Sequence, residues 1–109
     1  MAKTAVYLQS GDALDFQNNT ESVIPAGTVV LIGKHMGVAG CDIPAGGLGS
    51  IHVTGVFEIP KKASVELKAG DNVMFTEAEG IDKATADVMG YAVEAAAASA
   101  ATARVKLLG

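Results

Sequence analysis

The sequence predicts an all-β fold, a small single-domain barrel or sandwich of about eight to ten short strands. Three observations carry that reading. Apolar and polar residues alternate over short runs, as in Ile51-His52-Val53-Thr54 and Val105-Lys106-Leu107, the period-two signature of half-buried strands. Gly, Asn, Asp and Pro punctuate the runs at close intervals, as turns between strands require. A loose internal repeat, Ile24-Pro25-Ala26-Gly27, Ile43-Pro44-Ala45-Gly46 and Leu67-Lys68-Ala69-Gly70, precedes one strand each time. Proline would fix φ at the first central turn position and glycine would close the turn, so each copy reads as a corner. The irregular spacing of the copies excludes a solenoid.

Taken in order, Ala2 to Leu8 reads as a first strand or an extended arm, and residues 1–10 as a flexible N-terminal arm. Ser10-Gly11-Asp12 turns the chain into a strand around Leu14 and Phe16. Asn18-Asn19-Thr20 is a loop. Thr28 to Gly33 is apolar on both faces and rich in β-branched residues, which predicts a fully buried strand. Gly33-Lys34-His35 then reverses it into Met36–Ala39. Asp42 to Lys62 is the best-patterned stretch and reads as one central strand. Ile51, Val53, Phe57 and Ile59 lie on one face, and His52, Thr54, Val56 and Glu58 on the other. Gly55 at its centre predicts a bulge, a bend or a close backbone approach.

Further on, Asn72–Thr76 is a strand, Glu77 to Gly80 a turn and Ile81 to Ala86 a weak strand. Asp87 to Glu94 and Ala103 to Leu108 alternate again. Ala92 to Ala103 is ambiguous. Alanine favours helix, but an all-alanine helix has no apolar stripe to dock. Two strands joined by a flexible Ala/Ser loop are expected, with one short Ala-rich helix as the alternative.

The totals limit function. A chain of 109 residues suits one domain, residues 1–109. Half of the residues are hydrophobic, only 5% are aromatic, and charged residues make up 18%, below the roughly 25% of typical soluble domains. Such a surface is expected to be buried partly against copies of itself or a partner. The net charge of −4 and scattered lysines disfavour nucleic acid. No segment is long and apolar enough to serve as a signal peptide or cross a bilayer, so a soluble product made in the cytoplasm is expected, with no membrane partner. A single cysteine, Cys41, excludes an internal disulfide framework.

No residue set points to catalysis. His35, Cys41 and His52 fit no zinc spacing. Asp42 beside Cys41 opposes thiolate formation. Glu77 and Glu79 with Asp82 and Asp87 depart from the EF-hand pattern and read as a solvated acidic turn. Gly46-Gly47-Leu48-Gly49 lacks the Gly-Lys-Ser/Thr ending and the helix of a phosphate loop, so close passage of two backbones, or a mobile loop, is the expected role. No catalytic residue, cofactor site or metal site is expected.

Taken whole, the sequence resembles the capsid cement, or head-decoration, proteins of tailed bacteriophages. The resemblance rests on the Met-Ala-Lys opening with Gly11-Asp12, on Val30-Leu31-Ile32-Gly33 followed by Met36-Gly37-Val38-Ala39, and on Val53-Thr54-Gly55-Val56-Phe57-Glu58-Ile59-Pro60-Lys61. Gly70-Asp71, Gly90-Tyr91-Ala92-Val93-Glu94-Ala95-Ala96 and Arg104-Val105-Lys106-Leu107 complete it. It implies a non-enzymatic β domain, made in the host bacterial cytoplasm. Such a domain adds to the outer surface of an assembled head as a homotrimer and clamps neighbouring major capsid subunits. The family has no motif for the contact residues. From the pattern alone, the candidates for subunit or capsid contact are Val6, Tyr7 and Leu8 in the arm and His52, Thr54 and Val56 on the second face of the Asp42–Lys62 stretch. A tail- or fibre-associated virion domain is the alternative, and a small carbohydrate-binding module a weaker one, since few aromatic platforms exist.

Overall fold

A computed structural model describes residues 2–109; Met1, at the head of the expected arm, lies outside them. The fold is all-β. Nine strands are formed: β1 (Ala13–Gln17), β2 (Val29–Ile32), β3 (His35–Ala39), β4 (Leu48–His52), β5 (Val56–Pro60), β6 (Asn72–Thr76), β7 (Gly80–Lys83), β8 (Gly90–Ala92) and β9 (Thr102–Leu107). They build two antiparallel sheets, ordered β1-β4-β3-β2 and β5-β9-β8-β6-β7. Neither sheet closes into a barrel. Val29, Leu31, Met36 and Val38, on one face of β2 and β3, pack into the core of the second sheet. The opposite face of the first sheet gathers a smaller cluster around Ile43, Ile51 and Val53.

The expected single strand from Asp42 to Lys62 is instead two strands in different sheets. Its alternation is kept on both sides of the break. Ile51, Val53 and Ile59 are buried and His52, Val56 and Glu58 exposed. Gly55 adopts φ +113°, a conformation side chains resist, and there the chain leaves β4 for β5. The period-two pattern cannot reveal such a crossing, because the inward face points to a core before and after it.

Two other expectations change. β2 meets a core on both faces, as its sequence predicts, yet it is only half-buried and Ile32 is 38% exposed. It is an edge strand, and its free edge admits solvent. The Ala-rich segment forms no helix. Ala92 is drawn into β8, and Ala96 exchanges both backbone hydrogen bonds with Leu67 (2.9 Å each). Two buried tethers override an intrinsic preference worth under ~1 kcal/mol per residue.

The loose repeat proves to be the trace of a structural duplication. Residues 13–32 and 56–75 correspond at one constant offset, so that Ile24 matches Leu67, Gly27 matches Gly70 and Val30 matches Val73. A longer offset, created by the β6–β7 hairpin, then aligns Met36-Gly37-Val38-Ala39 with Met89-Gly90-Tyr91-Ala92. The hydrogen bonds repeat with the sequence. Ile24 and Ile43 exchange backbone bonds as Leu67 and Ala96 do, and Gly27 N donates to Ala39 O as Gly70 N donates to Ala92 O (2.7 Å in both). Each sheet is therefore one copy of a four-stranded unit, β1-β4-β3-β2 and β5-β9-β8-β6, with β7 added to the second.

The corners differ from expectation in one detail. Thr28 N donates to Pro25 O at 3.1 Å and Gly47 N to Pro44 O at 2.8 Å. Proline thus occupies the outer first position of the turn, not the first central one. Gly27 and Gly46, at φ +87° and +72°, take the second central position of a type II turn, which demands positive φ. Lys68 stands where proline does in the third copy, and Asp71 N donates to its carbonyl at 3.0 Å.

Among the described residues the two buried polar side chains, Asn18 and Lys61, are also counterparts. Asn18 Nδ2 donates to the carbonyls of Ser22, Ile43 and Pro44 at 2.8, 2.9 and 3.2 Å. Lys61 Nζ donates to those of Lys62, Val65 and Ala98 at 3.0, 2.6 and 3.4 Å. Each fills the end of its unit and satisfies carbonyls that no strand can reach, since buried polar groups need partners.

Outside this plug, Lys62 bridges Glu79 (3.0 Å) and Asp82 (3.7 Å). The hydrogen bond and charge of Glu79, followed by the charge of Asp82, raise the lysine above its ordinary pKa. The folded-state pKa is the higher one. The contribution to stability is therefore complete at neutral pH and is lost as pH rises through the lysine's titration. These side chains are exposed, so salt screens them. In thermal melts, Lys62→Met is expected to match the parent chain at high salt and to fall slightly below it only at low salt and neutral pH.

Candidate functional site

The N-terminal segment forms no strand. Ala2 to Asp12 is exposed throughout, and Val6, Tyr7 and Leu8 are 81%, 82% and 86% exposed. Within residues 2–10 the one side-chain hydrogen bond, between Tyr7 and Ser10 at 3.5 Å, is internal. Three successive large apolar side chains held in water stabilise nothing in this chain.

The arm is rooted at a defined place. Val53 N donates to Asp12 O at 3.0 Å, and Thr54 Oγ1 donates to Asp12 Oδ1 at 3.5 Å. Thr54 lies in the Val53–Gly55 crossing between the sheets. His52 ends β4 on one side of it, and Val56, 55% exposed, starts β5 on the other. The structure therefore brings His52, Thr54 and Val56 to the root of the arm that carries Val6, Tyr7 and Leu8. It does not place them on one strand face, because the chain changes sheets between them.

Beside this corner the sheets part. A cleft of ≈ 430 Å³ is walled by Val29, Val38, Phe57 and Ile59, with His52 and Glu58 among its lining. The His52 ring lies 6.2 Å from that of Phe57, tilted by 34°. A second cleft of ≈ 540 Å³ shares Gly27, Val29 and Pro60 with the first and ends at the Glu77–Gly80 turn. Both are open, and neither sets a nucleophile beside a base. Among the described residues no three His, Cys, Asp or Glu side chains converge as metal ligands would, and no helix is long and apolar enough to cross a membrane. Cys41 is exposed and unpaired.

β5 is an edge strand. Leu107 N donates to Gly55 O and Lys61 N to Ala101 O. The intervening odd-numbered residues thus point their backbone groups at β9, and Val56 and Glu58 point theirs at the open edge. An exposed edge next to an apolar arm can pair with another chain. Sequence reasoning placed Val56 on an outward face but missed the edge, which exists only because β4 and β5 are in different sheets.

The glycine cluster behaves as a packing device. An added Cβ on Gly49 would meet Ile43 Cγ1 at 2.4 Å, and one on Gly47 would meet Pro44 Cγ at 2.8 Å. The cluster makes room for the side chains of Ile43 and Pro44 rather than for a second backbone.

No curated protein and no solved structure matches the chain. A family model described as phage cement protein matches residues 8–107. That match spans both sheets and the outer part of the arm root, in accord with a β scaffold that offers edges and apolar surface rather than a reaction centre. The chain belongs to the phage cement protein family, a family of structural proteins of the virion capsid.

Proposed function

We propose that this chain binds the outer surface of an assembled phage head and stabilises it by clamping neighbouring major capsid subunits, acting as a homotrimer made in the host cytoplasm. The observation that carries the reading is the exposed arm, with Val6, Tyr7 and Leu8 rooted next to His52, Thr54 and Val56. An extended apolar segment that has no partner in its own chain suits strand addition to a shell subunit. Area supports it too. A compact protein of 11.0 kDa exposes about 5,600 Å², whereas this one exposes 6828 Å². Many copies on a symmetric shell need only weak individual contacts, because avidity multiplies them.

Deleting residues 2–10 tests the arm. The truncated chain should keep its far-UV spectrum and oligomeric mass, since among the described residues 2–10 make no hydrogen bond to the body. Its co-sedimentation with empty expanded heads should fall at least tenfold. Undiminished binding would overturn the arm's role, and a full-length chain that ignores heads would overturn the capsid reading.

A further inference from the structure

The two units of the duplication are covered unequally. In the second, Ile59, Leu67 and Val73 are 1%, 0% and 0% exposed, because β2 and β3 of the first unit lie on them. Their counterparts Phe16, Ile24 and Val30 gather in the first unit's own cluster and remain only half-buried. The first unit has the same kind of apolar face, but the chain covers only its Ala39, Ile43, Ile51 and Val53 portion and leaves the portion of Phe16, Ile24 and Val30 half open.

The duplication also indicates what the cover is. Val29, Leu31 and Val38 project from the first unit into the core of the second. At the corresponding positions the second unit carries Asn72, Met74 and Tyr91. Their strand neighbours Val73, Gly90 and Ala92 are buried inward, so alternation turns these three to the outer face. Met74 and Tyr91 are half-buried, and Lys106 lies 5.9 Å over the Tyr91 ring. Methionine and tyrosine are enriched at protein interfaces.

We infer that the face of Phe16, Ile24 and Val30 docks the Asn72–Met74–Tyr91 face of a second copy of this chain. This deepens the self-association in the function proposed above. The contact reuses the packing between the two units within one chain, with the units now in different chains. Each chain offers one face of each kind, so the association is head-to-tail, and a rotation that closes produces a ring.

Phe16→Glu blocks one face and Met74→Glu the other. By light scattering on the purified full-length chain, the parent protein should form a closed species larger than a dimer. Each variant alone should be a monomer. An equimolar mixture of the two should form a dimer and nothing larger, because one sound face of each kind remains. If Phe16→Glu fails to fold by circular dichroism, Met74→Glu and Asn72→Glu carry the test from the opposite face. A monomeric parent overturns the inference, as does parent mass in a folded Met74→Glu or Asn72→Glu variant, or a mixture of folded variants that stays monomeric. Head binding is read separately: single chains that still co-sediment with heads leave the capsid reading intact, and rings that ignore heads overturn that reading alone.

Discussion

Lys61→Met is expected to lower unfolding stability by about 3 kcal/mol, which for a domain of this size means roughly 12 °C in melting temperature. The ammonium is 6% exposed at the residue level and holds the carbonyls of Lys62, Val65 and Ala98. Methionine fills similar volume and donates nothing, so the three acceptors lose a charged donor in a place where little water enters. An unsatisfied buried group costs about 1–3 kcal/mol, and partial access of water at the rim keeps the total below the sum. The same amine spans the corner containing Ser64, which at φ +68° is the one non-glycine at positive φ among the described residues. Losing the amine frees that corner to relax.

Asn18→Ala removes the matching plug in the first unit and should cost a similar amount. Asn18 also accepts from Thr20 N at 3.0 Å and Thr20 Oγ1 at 2.6 Å. The two plugs share no partner, so the losses should add. Lys83→Met, at an exposed position, should change nothing measurable. Urea denaturation of these three variants and of the Lys61→Met/Asn18→Ala double variant checks all four expectations. A loss under about 1 kcal/mol for Lys61→Met would show that the buried amine is dispensable.

Gly90→Ala should destabilise the protein by about 3 kcal/mol, and its counterpart Gly37→Ala by about 1 kcal/mol. Both glycines sit in the repeated Met-Gly-X-Ala stretch and face the neighbouring strand. The obstacles differ. A Cβ on Gly90 would lie 2.5 Å from Lys106 O and 2.9 Å from Val105 Cγ1, whereas one on Gly37 would lie 2.9 Å from Ile51 Cδ1 and 3.3 Å from His52 O. The end of an isoleucine side chain can turn away. A ladder carbonyl cannot, so β8 and β9 must separate, and they join the two halves of the larger sheet. Equal losses in parallel thermal melts would contradict this account.

Much of this molecule was legible before any coordinates. Alternation located β1, β6 and β9 nearly to the residue, since side-chain period is a local property of an extended chain. The positive-φ glycines of the corners are local too, and Gly27, Gly46 and Gly70 were marked by their repeated context. Gly46-Gly47-Leu48-Gly49 could be denied a phosphate-loop role because the required Lys and helix are absent from the adjacent sequence. The six candidate contact residues were chosen from outward parity and weak patterning; the structure sets His52, Thr54 and Val56 around the crossing where the arm is rooted and leaves Val6, Tyr7 and Leu8 exposed along the arm.

What sequence reading missed depends on which strands become neighbours. Nothing local distinguishes a bend at Gly55 within one strand from a crossing between sheets, since Val53 and Phe57 point inward either way. Nothing local marks Lys61 as buried while Lys62 beside it is half exposed, because burial follows from the Ala98 carbonyl and the Leu67–Ala96 tether arriving from far along the chain. The loose repeat was visible, but its meaning was not. Only the paired hydrogen bonds of Ile24 with Ile43 and Leu67 with Ala96 establish two copies of one unit, and only their packing leaves the first copy's apolar face half open. Short-range pattern settled most of the strands and the positive-φ glycines at the corners, since both depend on neighbours within a few residues. The tertiary structure decided which edges and faces stay unpaired, because that depends on long-range pairing that no local pattern encodes.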